Sequence, residues 1–352
     1  MRDVAAAAAV SITTVSDALS GKGRLPEETR MRVRDVARRL GYRPNGTARS
    51  LASGTTGILA LSVSSAGGMR FTLTDFDYFV QLFTTATQAA FDRGYALVLA
   101  SQATNIEAWE RVNVDGAVVV DPILDDPVLR LLRERRTPMV TTGRDPSGGD
   151  GHWVDNDHFA ATRKVLAHLA GRGARRIALV TAPPVQSYTI DAVDAYERWC
   201  AENGAEPLVE VARETLTESA GFDAAARLLE TGDPPDAIYA TLDRPALGVL
   251  LYAHARGVSV PRDLLVAGLS DSHAARTARP PLTALSLQPD ELGRRAIDLL
   301  LDVVERRESP IDRSLVPTRL VARSSTLAAP LRRARPTRQA RGAHPPPPSG
   351  TA

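Results

Sequence analysis

The amino-acid sequence predicts a small all-α head followed by an α/β body of two doubly wound lobes, and three observations predict it. Residues 1–44 carry helical spacing with cap and stop signals and no strand pattern. From residue 57 the period changes, and short apolar runs alternate with helical stretches, as parallel strands covered by helices on both faces require. The alternation supplies thirteen elements over some 230 residues, more than one sheet needs, and runs twice with a seam near WVDND at 153–157.

The head reads as three short helices. The first spans Asp3 to Ala8 within MRDVAAAAAVS, which holds an acid and lacks a leucine-rich centre, so it reads as a helix and not a secretion signal. The second starts at Ser11, whose hydroxyl can accept from a free backbone N–H of the first turn. The third runs from Pro26 to Leu40: Pro26 suits the first helical position, and Glu27 and Glu28 complement the positive helix start. Met31, Val33, Val36, Ala37 and Leu40 recur at helical spacing over a small core, and Gly41 follows Arg38 and Arg39 as a stop.

In the body the expected strands are GILALSV (57–63), YALVLAS (95–101), DGAVVV (115–120), PMVTTG (138–143), RIALVTA (176–182), AIYATL (237–242) and LLVAGLS (264–270). Between them lie expected helices over 76–93, 125–136, 158–171, 189–203, 219–231 and 244–256. Two similar lobes then flank a cleft, where ligands of such sheets bind. The expected domains are 1–44, a linker at 45–54, the two-lobed body at 55–327, and a tail at 328–352 whose Arg- and Pro-rich composition predicts disorder.

The net charge of +2 hides a segregation. Residues 1–54 carry a net +5 and residues 330–352 another +5, which leaves −8 on the residues between, given +2 overall. A basic head on an acidic body suggests that the head alone meets a polyanion. No run of eighteen apolar residues occurs, so no membrane partner is expected. Cys200 is the one cysteine and fits a reducing compartment.

Two helices joined by a tight turn, the second starting at Ser11, make a helix-turn-helix, whose second helix must enter a major groove about 12 Å wide. That explains its small, hydroxylated side chains. Val15, Ala18 and Leu19 can face inward. Thr13 and Asp17 lie four apart on one face with Ile12 beside them, and Thr14 and Ser16 flank it and suit phosphate oxygens.

These residues carry a resemblance. DVA at 3–5, VSITTVS at 10–16, ETR at 28–30, GYRPN at 41–45 and a further short segment ending in Leu51-Ala52 follow the head of the LacI family of bacterial transcription repressors, in order and at the right spacing. The body continues it with VDGAVV at 114–119, DN at 155–156, RRIAL at 175–179, DRPALG at 243–248, PPLTAL at 280–285, ELGRRA at 291–296 and LVARSST at 320–326. The resemblance covers roughly 1–327. It implies a periplasmic-binding-protein-like body and a hinge helix, Gly46 to Ala52, capped by Asn45 and formed on binding DNA. Leu51 is then the apolar wedge that kinks the minor groove, with Ala48 packing nearby and Tyr42, Arg43 and Arg49 within reach of phosphates. Paired hinges imply a homodimer or homotetramer on a pseudo-palindromic double-stranded operator, and a small-molecule effector in the cleft that shifts the lobe arrangement. Cytoplasmic, nucleoid-associated localisation follows.

The chain departs from the family at several places. Position 17 is usually an arginine that contacts a base; here Asp17 either accepts from a base amine, pairs internally with Lys22 or Arg24, or weakens binding. Few residues precede DVA, so either the first helix is uncapped or the start lies upstream of Met1. The usual glycine before VS is Ala9, and Leu25 stands where a capping Ser or Thr is usual. In the cleft, a sugar-holding arginine aligns with Ala192, an Asn-Asp pair with Leu242-Asp243, and a Tyr-Asp-Asp with Leu269-Ser270-Asp271. The candidate effector residues are Asp77, Tyr78, Arg144, Asn156, Tyr188, Asp243 and Asp271, which suit a polyol or nucleoside, with loss of the effector as an alternative.

Other chemistry finds little support. No pair among the six histidines has zinc-motif spacing, no phosphate-binding glycine loop occurs, and no GxSxG elbow marks a nucleophile. Trp153, Trp199 and Cys200 read as packing residues. The expectation is a non-enzymatic regulator without cofactor or metal. The competing reading is a periplasmic-type small-molecule-binding protein without DNA function, which would need a signal peptide where the head stands.

Overall fold

The computed structural model describes residues 1–20, 24–42, 54–64, 76–100, 109, 111–212, 216–305 and 313–327; the expected hinge helix and tail lie outside them. The head holds α1 (Arg2–Ala8), α2 (Ile12–Ser20) and α3 (Glu27–Arg39). Val4, Ala5 and Ala8 of α1, Val15 and Ala18 of α2, and Val33, Val36 and Ala37 of α3 form its core, with Leu19, Leu25 and Tyr42 packed against it. The α1–α2 turn closes through Val10 N–H to the Ala5 carbonyl, with Ala9 in the left-handed region at φ 51°. The third helix is one residue shorter at each end than expected. Pro26, at ψ 140°, is not yet helical and stands at the cap position, where no side chain satisfies the first N–H groups.

The body contains β1 (Ile58–Val63), α4 (Asp77–Asp92), β2 (Ala96–Ala100), β3 (Gly116–Val120), α5 (Pro127–Glu134), β4 (Met139–Thr142) and β5 (His152–Asn156). Then follow α6 (His158–Gly171), β6 (Ile177–Thr181), α7 (Ser187–Asn203), β7 (Val209–Val211), α8 (Glu218–Leu229), β8 (Ala237–Ala240) and α9 (Asp243–Ala255). The last elements are β9 (Leu265–Leu269), α10 (His273–Thr277), β10 (Thr283–Ser286), α11 (Pro289–Val304), β11 (Arg313–Val316) and β12 (Arg319–Val321). The first sheet has the order β11-β5-β4-β3-β1-β2, all parallel, and the second β12-β10-β9-β8-β6-β7, parallel except for β12. The central strands read as unbroken apolar runs because helices cover both faces; all five residues of β3 and of β6 are buried.

The seam is more than a single crossing. WVDND is itself mostly strand β5, and the chain enters the second lobe after it. It returns to the first lobe at Gln288, where φ is 52°, and crosses again between β11 and β12. Asn156 secures all three passages: its amide donates to the carbonyls of Leu287 at 3.1 Å and Val316 at 2.8 Å. The first lobe thereby gains α11, which buries Leu292, Ala296, Ile297, Leu300 and Leu301 in the same core as Leu82, Ala86 and Ala90 of α4. Gly293 permits that approach, since a Cβ there would overlap the Leu82 carbonyl.

Candidate nucleic-acid interface and interlobe cleft

On the head, Ser11 Oγ accepts from the backbone N–H of Thr14 at 3.0 Å and lies 2.8 Å from the Thr14 hydroxyl, so the start of α2 is capped by its own neighbour. Val15 and Ala18 are fully buried, which turns the opposite face outward. Ser11, Ile12 and Thr13 are exposed, and Thr14, Ser16 and Asp17 are half-buried beside them. Ile12 is a large apolar side chain left 47% exposed at the first residue of a slim helix. Tyr42 packs partly on the head core rather than standing free, whereas Arg43, Asn45, Ala48, Arg49 and Leu51 lie outside the described residues.

Between the lobes lies a cavity enclosing about 780 Å3 of non-protein space, part of it open solvent. Its position follows from topology, because Ser64, Asp121, Ala182, Leu242, Ser270 and Leu287 each stand just past the carboxyl end of a strand. Phe76, Tyr78 and Phe79 from the start of α4 wall one side, and His158, Gln186, Tyr188 and Asp243 the others. The lobes meet around it. Leu124 N–H donates to the Val185 carbonyl at 2.8 Å, Arg144 pairs with Asp191 across the gap and with Asp155 at 3.4 Å, and His273 N–H donates to Asp77.

The electrostatics are acidic. Burial pushes Asp121 up to about 7, with Asp155 adding to the shift and His158 opposing it. Asp121 also holds a left-handed backbone at φ 50°. Burial pushes Asp243 up to about 6, against the Ser272 hydroxyl and the Arg244 N–H, and its Oδ1 is buried without a hydrogen-bond partner among the described residues. For His158 burial works against the charge, but the hydrogen bond it donates to Asp155 and the fields of Asp155, Asp121 and Asp191 outweigh it and raise the imidazole. Burial, with Asp121 nearby, raises the Tyr78 and Tyr188 phenols, so both remain neutral donors.

Of the residues proposed from sequence, Tyr78, Tyr188 and Asp243 line this cavity. Four are placed elsewhere. Asp77 accepts from the opposite lobe's backbone, Arg144 is held by two carboxylates, Asn156 ties the crossings, and Asp271 pairs with Arg323 at 2.7 Å and Arg276 at 3.5 Å. Sequence reasoning missed Ser64, Asp121, His158, Gln186 and the phenylalanines; the signal that points to the first two is their place one residue past a parallel strand. Trp199 and Cys200 pack in the second lobe's core. No helix among the described residues is long and apolar enough to cross a membrane, and no group of His, Cys, Asp and Glu among them could hold a metal.

Residues 1–45 match the model of bacterial regulatory proteins of the lacI family, and residues 166–326 that of a periplasmic binding protein-like domain. The HTH-type transcriptional regulator CelR of Thermobifida fusca is 30% identical over 333 residues, covering 92% of this chain and 96% of CelR. The HTH-type transcriptional repressor PurR of Salmonella paratyphi A is 28% identical over 357 residues, covering 94% and 98%. Among solved structures, a CelR–cellobiose complex superposes with a TM-score of 0.71 at 28% identity, covering 92% of this chain and 98% of that one. The lac repressor dimer bound to operator and the anti-inducer ONPF gives 0.80 at 23%, covering 93% and 98%, and shares the fold.

Proposed function

The chain belongs to the lacI family of bacterial transcriptional regulators, and we infer from that membership and the geometry above that it represses transcription by binding an operator through its head. The observation that carries this is the disposition of α2: Val15 and Ala18 fully buried, Ser11, Ile12 and Thr13 outward, and the helix start capped. A helix so presented is slim enough for a major groove, with hydroxyls for phosphates and Asp17 for a base edge. The hinge reading of Asn45, Ala48 and Leu51, with Arg43 and Arg49 on phosphates, rests on the motif GYRPN and its spacing.

The cleft takes a small effector, of the sugar or nucleoside type, and its occupancy changes operator affinity through the lobe arrangement. CelR, crystallised with cellobiose, supports the sugar side of this reading. The working form is a homodimer. Val80 and Phe91 on α4, Val98 and Leu99 on β2, and Leu251 on α9 are large apolar side chains left exposed, which a second copy can cover. Regulation rather than catalysis, in the cytoplasm on the nucleoid, is consistent with relatives that are transcriptional regulators.

A mobility-shift titration with a duplex carrying the region upstream of the chain's own gene tests the assignment. The full chain retards it with steep salt dependence, and the chain without residues 1–54 does not. Binding that ignores salt, or persists without the head, contradicts it. Asp17→Arg is expected to change the preferred site in a randomised-operator selection; an unchanged preference removes Asp17 from the readout set.

A further inference from the structure

We propose that the effector is an organic cation: a protonated amine on a polyhydroxylated ring, the amino-sugar class, with Asp243 and Asp121 as its carboxylate partners. The inference rests on reading the cleft as the effector site and goes further by naming the charge of what enters it.

Three features of the lining point the same way. Among the described residues no lysine or arginine contributes to it. Arg144, the cation that bridges the lobes nearby, is already held by Asp155 and Asp191. His158, the lining's basic side chain, has its Nε2 3.4 Å from Asp155. Asp155 is thus paired with both Arg144 and His158, and among the described lining residues the carboxyls of Asp121 and Asp243 outnumber the one imidazole. Asp243 carries the argument furthest. It is 2% exposed, lines the cavity, and its Oδ1 has no hydrogen-bond partner among the described residues. A buried acceptor of that kind is costly until a donor reaches it, and a charged donor relieves the charge as well as the missing bond. The upward shifts of both carboxyls agree: the cavity without a ligand disfavours their ionised forms.

The rest of the lining selects the body of the cation. Phe76, Phe79, Tyr78 and Tyr188 supply faces for the C–H side of a ring and for an ammonium group. Ser64, Gln186 and Ser270 offer neutral polar atoms for ring hydroxyls. Among the described residues no lysine or arginine lines the cavity to meet an anionic ligand such as a sugar phosphate or a carboxylate.

The test is a thermal-shift and calorimetric comparison on the full-length protein with matched pairs: glucosamine against glucose, galactosamine against galactose, and cellobiose and adenosine as neutral probes. An amino sugar is expected to raise the melting temperature more than its neutral partner. Asp243→Asn, close in shape, is expected to weaken that amine about tenfold or more and to leave the neutral sugar little changed. Asp121→Asn serves as the second variant, because asparagine tolerates the left-handed backbone at this position. The proposal is overturned if a neutral member binds as well as its amine, if no amino sugar shifts the melting temperature, or if both variants keep full amine affinity. Operator retention measured in parallel separates the two readings. A neutral sugar that binds as well as its amine and alters retention ends the cation proposal alone. An amine that binds without altering retention ends the effector reading and leaves the cation assignment.

Discussion

The head and the cleft are built in opposite ways. The reading face of the head comes from one run of seven residues, Ser11 to Asp17, and its shape is fixed by a neighbour's hydroxyl three positions away. The cavity is assembled from the ends of six strands and the starts of four helices, in a chain that changes lobes three times. The lesson is that a local site inherits its geometry from caps and periodicity, whereas a distributed one inherits it from packing far from the chemistry. The head should therefore tolerate damage to the body's packing, while the cavity should not.

The largest expected effect tests that asymmetry. Helices α8 and α9 cross so closely that a Cβ at Gly221 would overlap the Pro245 carbonyl, and one at Gly248 the Glu218 carbonyl. Each contact is with backbone, so no side-chain adjustment relieves it. Gly221→Ala and Gly248→Ala are each expected to destabilise the second lobe by roughly 3 kcal/mol or more and to abolish ligand-induced thermal shifts. Calorimetry of the full chain should show the body transition falling and the head transition unmoved. If both transitions move together, head and body unfold as one cooperative unit and the contrast fails.

The same contrast sets what could be read in the sequence. The head's three helices and the Ser11 cap were legible because each rests on contacts within a few residues, and the inward Val15 and Ala18 because helical spacing sets them on one face. The alternation of strands and helices up to residue 270 was legible for the same reason, except for β5, read as the seam, and the three-residue β7, which was missed. Beyond it, α11 carries clear signals in PDELGRRAIDLLLDVV, with Pro289 at its start and two acids in its first turn. Yet nothing local says that it returns to the first lobe, since that depends on the turn at Gln288 and on the Asn156 amide. Cleft residues suffer most. Asp77, Arg144, Asn156 and Asp271 are the polar types a ligand would need, but lobe contacts and ion pairs have taken them. Asp121 and Ser64 look ordinary until the sheet order puts them at its carboxyl edge.

A pH dependence sharpens the comparison next. Asp121 is raised by burial from 3.8 to about 7, so between those values the folded body binds more protons than the unfolded chain. Stability must then fall as pH rises through that window, by an amount on the order of a few kcal/mol at most. Asp243, raised to about 6, acts in the same direction over a narrower range. Asp121→Asn should flatten the fall in melting temperature of the body from acid to neutral pH, and the head transition should not respond. A body whose melting profile keeps its slope in Asp121→Asn would show that the cavity carboxyl is not the group responsible.

The smallest expected effect concerns the head alone. Ala9 occupies the left-handed position that ends α1, at φ 51° and ψ 46°, where its Cβ meets the following peptide. Glycine has no such conflict, and the turn it would occupy is already closed by the Val10-to-Ala5 hydrogen bond. Ala9→Gly is expected to stabilise the head by roughly 1 kcal/mol, the relief of strain exceeding the extra chain entropy. In so small a unit that amounts to a rise of about 5 °C or more in its transition. The body transition should stay fixed, because Ala9 is exposed and its N–H bonds within the head's own turn. Operator affinity should rise no more than the folded fraction of the head requires, with the preferred base sequence unchanged. A changed preference would mean that the α1–α2 turn sets the angle at which Ile12, Thr13 and Asp17 meet the bases, and that even this local site takes part of its geometry from beyond its own helix.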